Sequence, residues 1–309
     1  MRNAFAEELT ALAREDQRIV LLSGDIGNKL FDRFKQIDDR RFFNCGVAEA
    51  NMMGVAAGLA MSGLRPVIYT ITPFTTTRCF EQIRVDVCYH KAPVIIVGTG
   101  SGLSYAELGP THHSLEDMAI MRSLPGMNVM APCDSTELRL CLRAALKQNG
   151  PAYLRIGKKG EPAIHGQDPD LKIGKAIVLR EGGALAMLGS GTIMSEVLAA
   201  ADILQAQGVR SEVVSLHTIK PLDTAYLAAT IARLGMLVTV EEHGLIGGLG
   251  SAVAEWAAAA GCRSRLLCFG TPDEFMHEIG SQTYARHKYG LEGQQIAGRI
   301  LDALKSGRP

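Results

Sequence analysis

The chain has 309 residues, enough for two domains with separate hydrophobic cores. Its 32 Lys plus Arg residues balance 32 Asp plus Glu residues, so no net charge favours nucleic acid or an anionic membrane as a partner. Its 7 cysteines include no Cys-x-x-Cys pair, and no apolar run approaches the roughly 20 residues of a membrane span. We therefore expect a cytoplasmic protein with reduced thiols.

Short apolar segments alternate with amphipathic ones through the first half of the chain. The apolar segments predict strands at residues 19–22, 42–44, 66–71, 94–98 and 152–156. The amphipathic segments predict helices at residues 4–16, 49–62, 76–91 and 134–148. Residues 94–97 (Val-Ile-Ile-Val) are apolar without alternation, which is typical of a parallel strand covered on both faces.

The same alternation returns after a polar stretch at residues 158–172. It predicts strands at residues 185–188, 212–216, 237–240 and 265–269, and helices near residues 192–207, 223–234, 248–260 and 291–305. The pattern predicts the α/β class, with two doubly wound domains and mostly parallel sheets. We place the first domain at residues 1–165, a linker at 166–180 and the second domain at 181–309.

Four loops of the first domain are predicted to meet at one edge of its sheet. Ligands of such sheets bind beyond the carboxyl ends of the strands. Segments rich in Gly, Thr or polar residues fall there, at residues 23–28, 44–49, 71–77 and 98–113. The last of these is too long and Gly-rich for an ordinary connection, and long loops in compact domains tend to be functional. We predict a ligand site at this edge.

Glu49 is a lone carboxylate at the junction of a predicted strand and a predicted helix. The small residues that follow it favour close packing of the helix, and hence a buried carboxylate. Two interpretations stay open at this point. A glutamate in the first turn of a helix is favoured by the helix dipole alone, whereas a buried glutamate at a ligand edge is suited to exchanging a proton or a hydrogen bond with a ligand.

The order and spacing of several motifs resemble the C-terminal half of transketolase, a thiamine-diphosphate enzyme. The resemblance is close to full length and implies a pyrimidine-binding domain followed by the C-terminal transketolase domain. The matching stretches are residues 42–60, 74–84, 109–112 (Gly-Pro-Thr-His), 116–126, 219–223, 241–243 and 247–255.

The resemblance implies three principal site residues. Glu49 matches the glutamate that hydrogen-bonds N1′ of the cofactor aminopyrimidine and so promotes loss of the thiazolium C2 proton. Phe74 matches the aromatic side chain that lies against the aminopyrimidine, although a packed loop phenylalanine is the alternative. His112 matches the histidine that faces the substrate, for proton transfer or stabilisation of an oxyanion.

Further positions have a functional and a structural interpretation. Asp25 resembles an aspartate near the cofactor, or caps a turn. Phe80 is a second aromatic candidate for the cofactor, but its helical spacing favours a packed face. Arg155 resembles an arginine that binds substrate phosphate, or forms an ion pair between subunits. Arg78, Glu81 and Arg84 share a predicted helix, where ordinary i,i+3 and i,i+4 ion pairs are expected.

The chain departs from the family pattern in two ways. Leu108 stands where typical transketolases have an aspartate that binds a sugar hydroxyl, which points to a modified, shorter or more apolar substrate. The Gly-Asp-Gly motif that holds Mg²⁺ and the diphosphate is missing, because residues 24–28 read Gly-Asp-Ile-Gly-Asn. The resemblance therefore implies a separate N-terminal-half subunit with the Mg²⁺ ligands, an α2β2 assembly and self-association of the β-type chain.

Three functions follow, in order of preference. The first is the C-terminal subunit of a split transketolase-like enzyme that transfers a two-carbon ketol unit from a ketose to an aldehyde. The second is a decarboxylating subunit, of the 1-deoxyxylulose-phosphate synthase or 2-oxo acid dehydrogenase type. The third is a non-catalytic regulatory subunit. The residues name neither the donor nor the acceptor sugar.

Overall fold

Two β-sheets flanked by helices organise the chain in a computed structural model, which describes residues 1–27 and 29–306. Residue 28, in the first predicted ligand loop, and residues 307–309, at the end of the second predicted domain, lie outside that description. The described strands are β1 (Ile19–Ser23), β2 (Phe42–Asn44), β3 (Arg65–Ile71), β4 (Ile95–Thr99), β5 (Asn128–Met130), β6 (Ala152–Ile156), β7 (Ile177–Arg180), β8 (Leu185–Ser190), β9 (Ser211–Ser215), β10 (Thr218–Lys220), β11 (Met236–Gly244) and β12 (Arg265–Thr271).

The helices cover both faces of these sheets. The described α-helices are α1 (Arg2–Glu15), α2 (Asp32–Lys35), α3 (Glu49–Met61), α4 (Thr72–Thr75), α5 (Phe80–Gln82), α6 (Asp117–Ser123), α7 (Ser135–Leu146), α8 (Met194–Ala206), α9 (Thr224–Arg233), α10 (Leu249–Ala259), α11 (Gln282–Lys288) and α12 (Gly293–Ser306). Short 3₁₀ turns occur at Asp39–Arg41, Thr77–Cys79, Ala106–Leu108 and Gly191–Ile193, and a π-helix spans Ile83–Tyr89. Within the described residues, no helix has the length and apolarity to cross a membrane.

The predicted α/β class with mostly parallel sheets is confirmed. The first sheet has seven strands in the order β10-β5-β6-β4-β3-β1-β2, and the second has five in the order β12-β11-β8-β9-β7. Only β10 and β7 pair antiparallel with their neighbours among the described strands. Because β1, β3 and β4 run parallel and adjacent, the loops that follow them meet at one edge of the sheet.

Alternate residues of the central strands enter different cores. Val20 and Leu22 of β1 pack in a cluster on one face of the first sheet, whereas Leu21 packs in a cluster on the other face. This period of two explains why the strands are apolar throughout. The cluster of Val20 also contains Leu188 and Val214 from the second sheet, so one hydrophobic core is continuous between the two halves.

Three strands lie where the sequence pattern predicts none, and β5 is the first of them. β10 belongs to the second half of the chain but pairs with β5 at the end of the first sheet. β7 lies inside the predicted linker and pairs with β9 in the second sheet. All three strands are short, so their periodicity is too weak to distinguish a strand from a connecting segment.

The long helix predicted at residues 76–91 is divided into shorter pieces. Pro73 lies in the first turn of α4, and the hydroxyls of Thr75 and Thr76 both donate to the Thr72 carbonyl. Such side-chain hydrogen bonds compete with a regular helix, as do β-branched side chains. The chain then passes through a 3₁₀ turn and α5 into the π-helix, and this irregular path sets the direction of the Arg78 side chain.

Candidate active site

Glu49 is the first residue of α3, directly beyond the carboxyl end of β2. Its side chain is only 2% exposed. Glu49 Oε2 accepts a hydrogen bond from Arg78 Nη1 at 2.8 Å, while Oε1 accepts none from the described residues. A buried carboxylate with one oxygen still free is a ready acceptor for a ligand donor.

Phe74 and Arg78 lie beside this carboxylate. The Arg78 guanidinium carbon is 4.1 Å from the centre of the Phe74 ring, so the cation covers one face of that ring. The His112 ring meets Phe74 edge-on, with the ring centres 5.4 Å apart. Glu49, Arg78, Phe74 and His112 therefore form a continuous line of contacts, called the Glu49 edge below.

A cavity of about 500 Å³ opens beside the Glu49 edge. Phe74, Thr76 and Arg78 line one side, and residues from the loop that carries His112 line the other. This volume is in the usual range for a small-molecule site. Within the described residues that line it, Arg78 is the one Lys or Arg side chain.

The two adjacent histidines of this loop have different surroundings. His112 Nδ1 lies 3.0 Å from Thr111 Oγ1, and burial together with the nearby His113 lowers the pKa of His112. His112 is therefore expected to be neutral near pH 7 and to carry one N–H. His113 is 7% exposed, its Nε2 has no hydrogen-bond partner among the described residues, and burial lowers its pKa too.

Arg155, on β6, lies in a buried ionic network. Its Nε donates to Asp117 Oδ2 at 2.8 Å, and its Nη2 donates to the carbonyls of Ser114 and Glu242 at 3.1 and 2.8 Å. The Tyr153 hydroxyl donates to the same Asp117 oxygen at 2.6 Å. Burial opposes the charge of Asp117, but the Arg155 guanidinium outweighs it and holds the pKa of Asp117 below its usual value.

Glu242 extends this network into the second half of the chain. Its carboxylate accepts from the backbone N–H of Leu103 at 2.7 Å and from Arg286 Nε at 2.5 Å. Gly102 has a φ of +64° and lies so close that a Cβ there would be 2.5 Å from Glu242 Oε1. Only glycine fits, because both the backbone angle and the space exclude a side chain. Asp117, Tyr153, Arg155, Glu242 and Arg286 are called the domain junction below.

Two family models match this chain. The transketolase pyrimidine binding domain matches residues 1–161, and the transketolase C-terminal domain matches residues 174–296. The chain belongs to the transketolase family.

Its similar relatives are subunits of comparable length. It is 38% identical to the 6-deoxy-6-sulfo-D-fructose transketolase subunit SqwH of Clostridium sp. strain MSTE9, over 96% of this chain and 92% of that protein. It is 33% identical to an apulose-4-phosphate transketolase subunit of Phocaeicola vulgatus, over 98% and 97% of the two chains. A solved split gene transketolase, an inactive beta4 tetramer, aligns with a TM-score of 0.90 and 35% identity over 99% of this chain and 98% of that one. The chain is thus a transketolase-type transferase subunit of the C-terminal kind, which implies an N-terminal-half partner.

Similarity to decarboxylating enzymes is less complete. The 1-deoxy-D-xylulose-5-phosphate synthase 2 of Geobacter sulfurreducens is 38% identical, but the chain spans only 48% of it. The decarboxylating alternative therefore has less support than the split transketolase.

The other predicted site residues of this transketolase subunit lie outside the Glu49 edge. Asp25 is exposed in a left-handed conformation, with φ of 56°, and accepts a hydrogen bond from Asn44 Nδ2 at 2.9 Å. Phe80 is partly buried and packs against the core cluster of α3. Leu108 is 49% exposed at the end of a 3₁₀ turn. Arg155 is 4% exposed within the domain junction, where its donors are occupied.

Two residues of the site escaped the sequence analysis. The expected ion pair of Arg78 with Glu81 is wrong, because Arg78 pairs with Glu49 across the sheet edge. Asp117 was not singled out at all, although a carboxylate amid apolar residues needs a buried partner. In both cases the sequence offered a signal, because an arginine lies on a neighbouring segment of the ligand edge. That arginine is Arg78 for Glu49 and Arg155 for Asp117.

The surroundings of Glu49 fit an aminopyrimidine. Glu49 Oε1 is a free acceptor, and the Phe74 ring lies next to the Arg78 guanidinium that binds Glu49 Oε2. The buried Thr70 hydroxyl has no hydrogen-bond partner among the described residues. A Cβ on Gly24 would lie 3.1 Å from that hydroxyl and 3.5 Å from Glu49 Cγ, so the glycine leaves space beside both groups.

Proposed function

We propose that this chain provides the aminopyrimidine half of a thiamine diphosphate site and takes part in transfer of a two-carbon ketol unit from a ketose to an aldehyde. The observation that carries the proposal is the buried Glu49 carboxylate, with one oxygen free, in a line of contacts that reaches Phe74 through Arg78. The similarity to transketolase subunits supports the same reaction class.

Three residues of the Glu49 edge have a chemical task. Bound thiamine diphosphate supplies a carbon nucleophile and an electron sink. Glu49 accepts a hydrogen bond from the pyrimidine nitrogen and exchanges a proton with it. Phe74 provides an apolar face that orients the ring and excludes water. Neutral His112 donates its N–H to a substrate oxygen that becomes negatively charged.

We further propose that a separate N-terminal-half subunit holds the diphosphate through Mg²⁺, in an α2β2 assembly in the cytoplasm with contacts between the β-type chains. The missing Gly-Asp-Gly motif supports a partner for the metal, and the free cysteines support a reducing compartment. Residues 1–165 would form the pyrimidine-binding unit and residues 181–309 the C-terminal unit. The matches at 1–161 and 174–296 support that division.

Reconstitution with the partner tests the proposal. The chain is co-purified with an N-terminal-half transketolase subunit, thiamine diphosphate and Mg²⁺, and assayed against ketose donors with aldehyde acceptors and, separately, against 2-oxo acids. We expect ketol transfer by the pair and none by either subunit alone. Release of CO₂ from pyruvate would support the decarboxylating alternative instead, and full turnover by a Glu49→Ala pair would support a regulatory subunit.

A further inference from the structure

Cys133, Glu137 and His165 lie together at the boundary between the two halves of the chain. Their candidate ligand atoms, namely the thiol sulfur, a carboxylate oxygen and an imidazole nitrogen, all lie within 4.8 Å of one another. Cys133 and Glu137 are buried, and the His165 side chain is only 7% exposed. We propose that these three side chains bind a zinc ion, which holds the segment between the two halves against the first domain.

The three donors suit zinc in kind and in spacing. Zinc binds thiolate, imidazole and carboxylate at about 2.0–2.3 Å, so neighbouring ligand atoms of a tetrahedral site are about 3.3–3.8 Å apart. Glu137 Oε1 and His165 Nε2 are 2.9 Å apart, and no two of the three ligand atoms are more than 4.8 Å apart. Small side-chain shifts therefore give that geometry, and the thiol proton leaves as the sulfur binds zinc. Mg²⁺ and Ca²⁺ fit poorly, because they prefer oxygen ligands.

Two fully buried polar side chains near this cluster lack hydrogen bonds. His217 Nε2 and Ser215 Oγ have no partner among the residues that the structure describes. Burial opposes the charge of Glu137, but the hydrogen bond with His165 and the nearby His217 outweigh it and hold the pKa of Glu137 below its usual value. Buried polar atoms without partners are rare and call for a ligand, an ion or a water. His217 and Ser215 are therefore candidates for the fourth ligand, or for hydrogen bonds to a water in its place.

The three ligands come from different parts of the chain. Cys133 follows β5 and packs in the core cluster of the second sheet, Glu137 is in the first turn of α7, and His165 belongs to the connecting segment at residues 157–176, which contains no helix or strand. Asp134 Oδ2 accepts hydrogen bonds from two backbone N–H groups of that segment, at 2.8 and 2.9 Å. The fold therefore positions the imidazole beside α7 in advance, and a preorganised site loses little entropy on binding.

This site is separate from the ketol-transfer chemistry. None of its residues belongs to the Glu49 edge or lines the cavity beside it. The zinc ion would be structural, unlike the Mg²⁺ that we assign to the partner subunit. The inference therefore stands or falls independently of the proposed function.

Metal content tests the site. The full chain is treated with a chelator, incubated with Zn²⁺, desalted and analysed for zinc by mass spectrometry. We expect about one ion per wild-type chain and per Cys88→Ala chain, a matched control that removes another buried thiol of the first domain. Cys133→Ala is expected to bind zinc at least about a hundredfold more weakly and to retain none. Absence of zinc from the wild-type chain, or equal retention by Cys133→Ala, would overturn the inference.

Cobalt identifies the ligands in the wild-type chain, where folding is not in question. Co²⁺ occupies tetrahedral zinc sites, and a thiolate ligand gives it a charge-transfer band in the near ultraviolet. We expect this band in the wild-type chain and in Cys88→Ala, but not in Cys133→Ala. His165→Gln keeps the thiolate and should show the band only at higher Co²⁺ concentrations. A wild-type spectrum without the band would show that the thiol binds no metal and that the inference is wrong.

Limited proteolysis tests whether the ion holds the connecting segment. Lys159 and Lys172 are exposed in that segment and are sites for trypsin. Zn²⁺ is expected to slow cleavage at these two lysines about tenfold or more in the wild-type chain and to leave the rate for Cys133→Ala unchanged. Equal slowing in both chains would mean that zinc acts elsewhere, and no slowing in either would mean that it does not hold the segment. Either result would overturn this part of the inference.

Discussion

The Glu49 edge and the domain junction each contain an arginine paired with a buried carboxylate, and both pairs are 2.8 Å long. Their surroundings differ. Arg78 is 43% exposed and has one ion-pair partner, whereas Arg155 is 4% exposed and also donates to two carbonyls. The distance of an ion pair thus does not reveal its role. The pair with further fixed partners is enclosed by the structure around it, whereas the other pair leaves its arginine half-exposed at the cavity.

The largest effect is expected from the carboxylate of the Glu49 edge. Glu49→Gln keeps the size of the side chain but removes its capacity to exchange a proton. We expect kcat of the reconstituted complex to fall about a hundredfold to ten-thousandfold. The control is Glu81→Gln, an exposed glutamate nearby, which should retain wild-type turnover. Near-normal kcat in Glu49→Gln would remove the catalytic difference between the two regions.

The domain junction should respond in stability. Arg155→Met leaves Asp117 buried without its counter-charge, so the free energy of unfolding should fall by about 3–5 kcal/mol. Arg78→Met removes a half-exposed cation but also leaves the buried Glu49 without its counter-charge, so we expect a smaller loss of about 1–2 kcal/mol. Urea unfolding of the full chain measures both. Similar losses for the two variants would show that the contrast between the pairs is wrong.

The two aromatic candidates sharpen the comparison further. Phe74→Ala removes the face beside Glu49, and we expect it to weaken thiamine diphosphate binding to the complex about tenfold. Phe80→Ala should instead lower the stability of the chain, because its side chain packs against the core. A calorimetric titration and a thermal melt of each variant separate these outcomes. Loss of cofactor affinity in Phe80→Ala alone would reverse the assignment.

The smallest effect is expected from the pair of His165 and Glu137 in the chelator-treated chain, because His165 carries a positive charge only when it is protonated. His165 Nε2 lies 2.9 Å from a Glu137 oxygen. Burial disfavours the charged imidazole, but the hydrogen bond and charge of Glu137 outweigh it, so the pKa of His165 is raised. The folded chain then holds this proton more tightly than the unfolded chain. The pair contributes fully below the unfolded pKa of about 6.5, and its contribution disappears as pH rises through the folded pKa.

We therefore expect His165→Gln to lower the free energy of unfolding by about 1 kcal/mol near pH 6 and by less near pH 9. Urea unfolding at the two pH values measures the difference between variant and wild type. A difference that stays constant, or grows with pH, would contradict the assigned sign.

The sequence predicted features that depend on local pattern. Apolar runs located most strands, and the order of the loops placed Glu49, Phe74 and His112 near one another. The sequence did not predict the partners of the two arginines. Arg78 and Glu49 are 29 positions apart, and Arg155 and Asp117 are 38 apart, so the tertiary fold alone brings them together. The path of Arg78 also depends on threonine hydroxyls that interrupt a predicted helix.

The pairing of β10 with β5 has a consequence for dividing this gene. A cut between residues 165 and 180 would separate β10 from the first sheet and leave β5 as an open edge strand, the kind of surface that promotes aggregation. It would also split the core that contains both Val20 and Leu188. The two halves therefore share a sheet and a core, and we expect them to unfold together. A gene divided at that point is therefore expected to give two unstable parts.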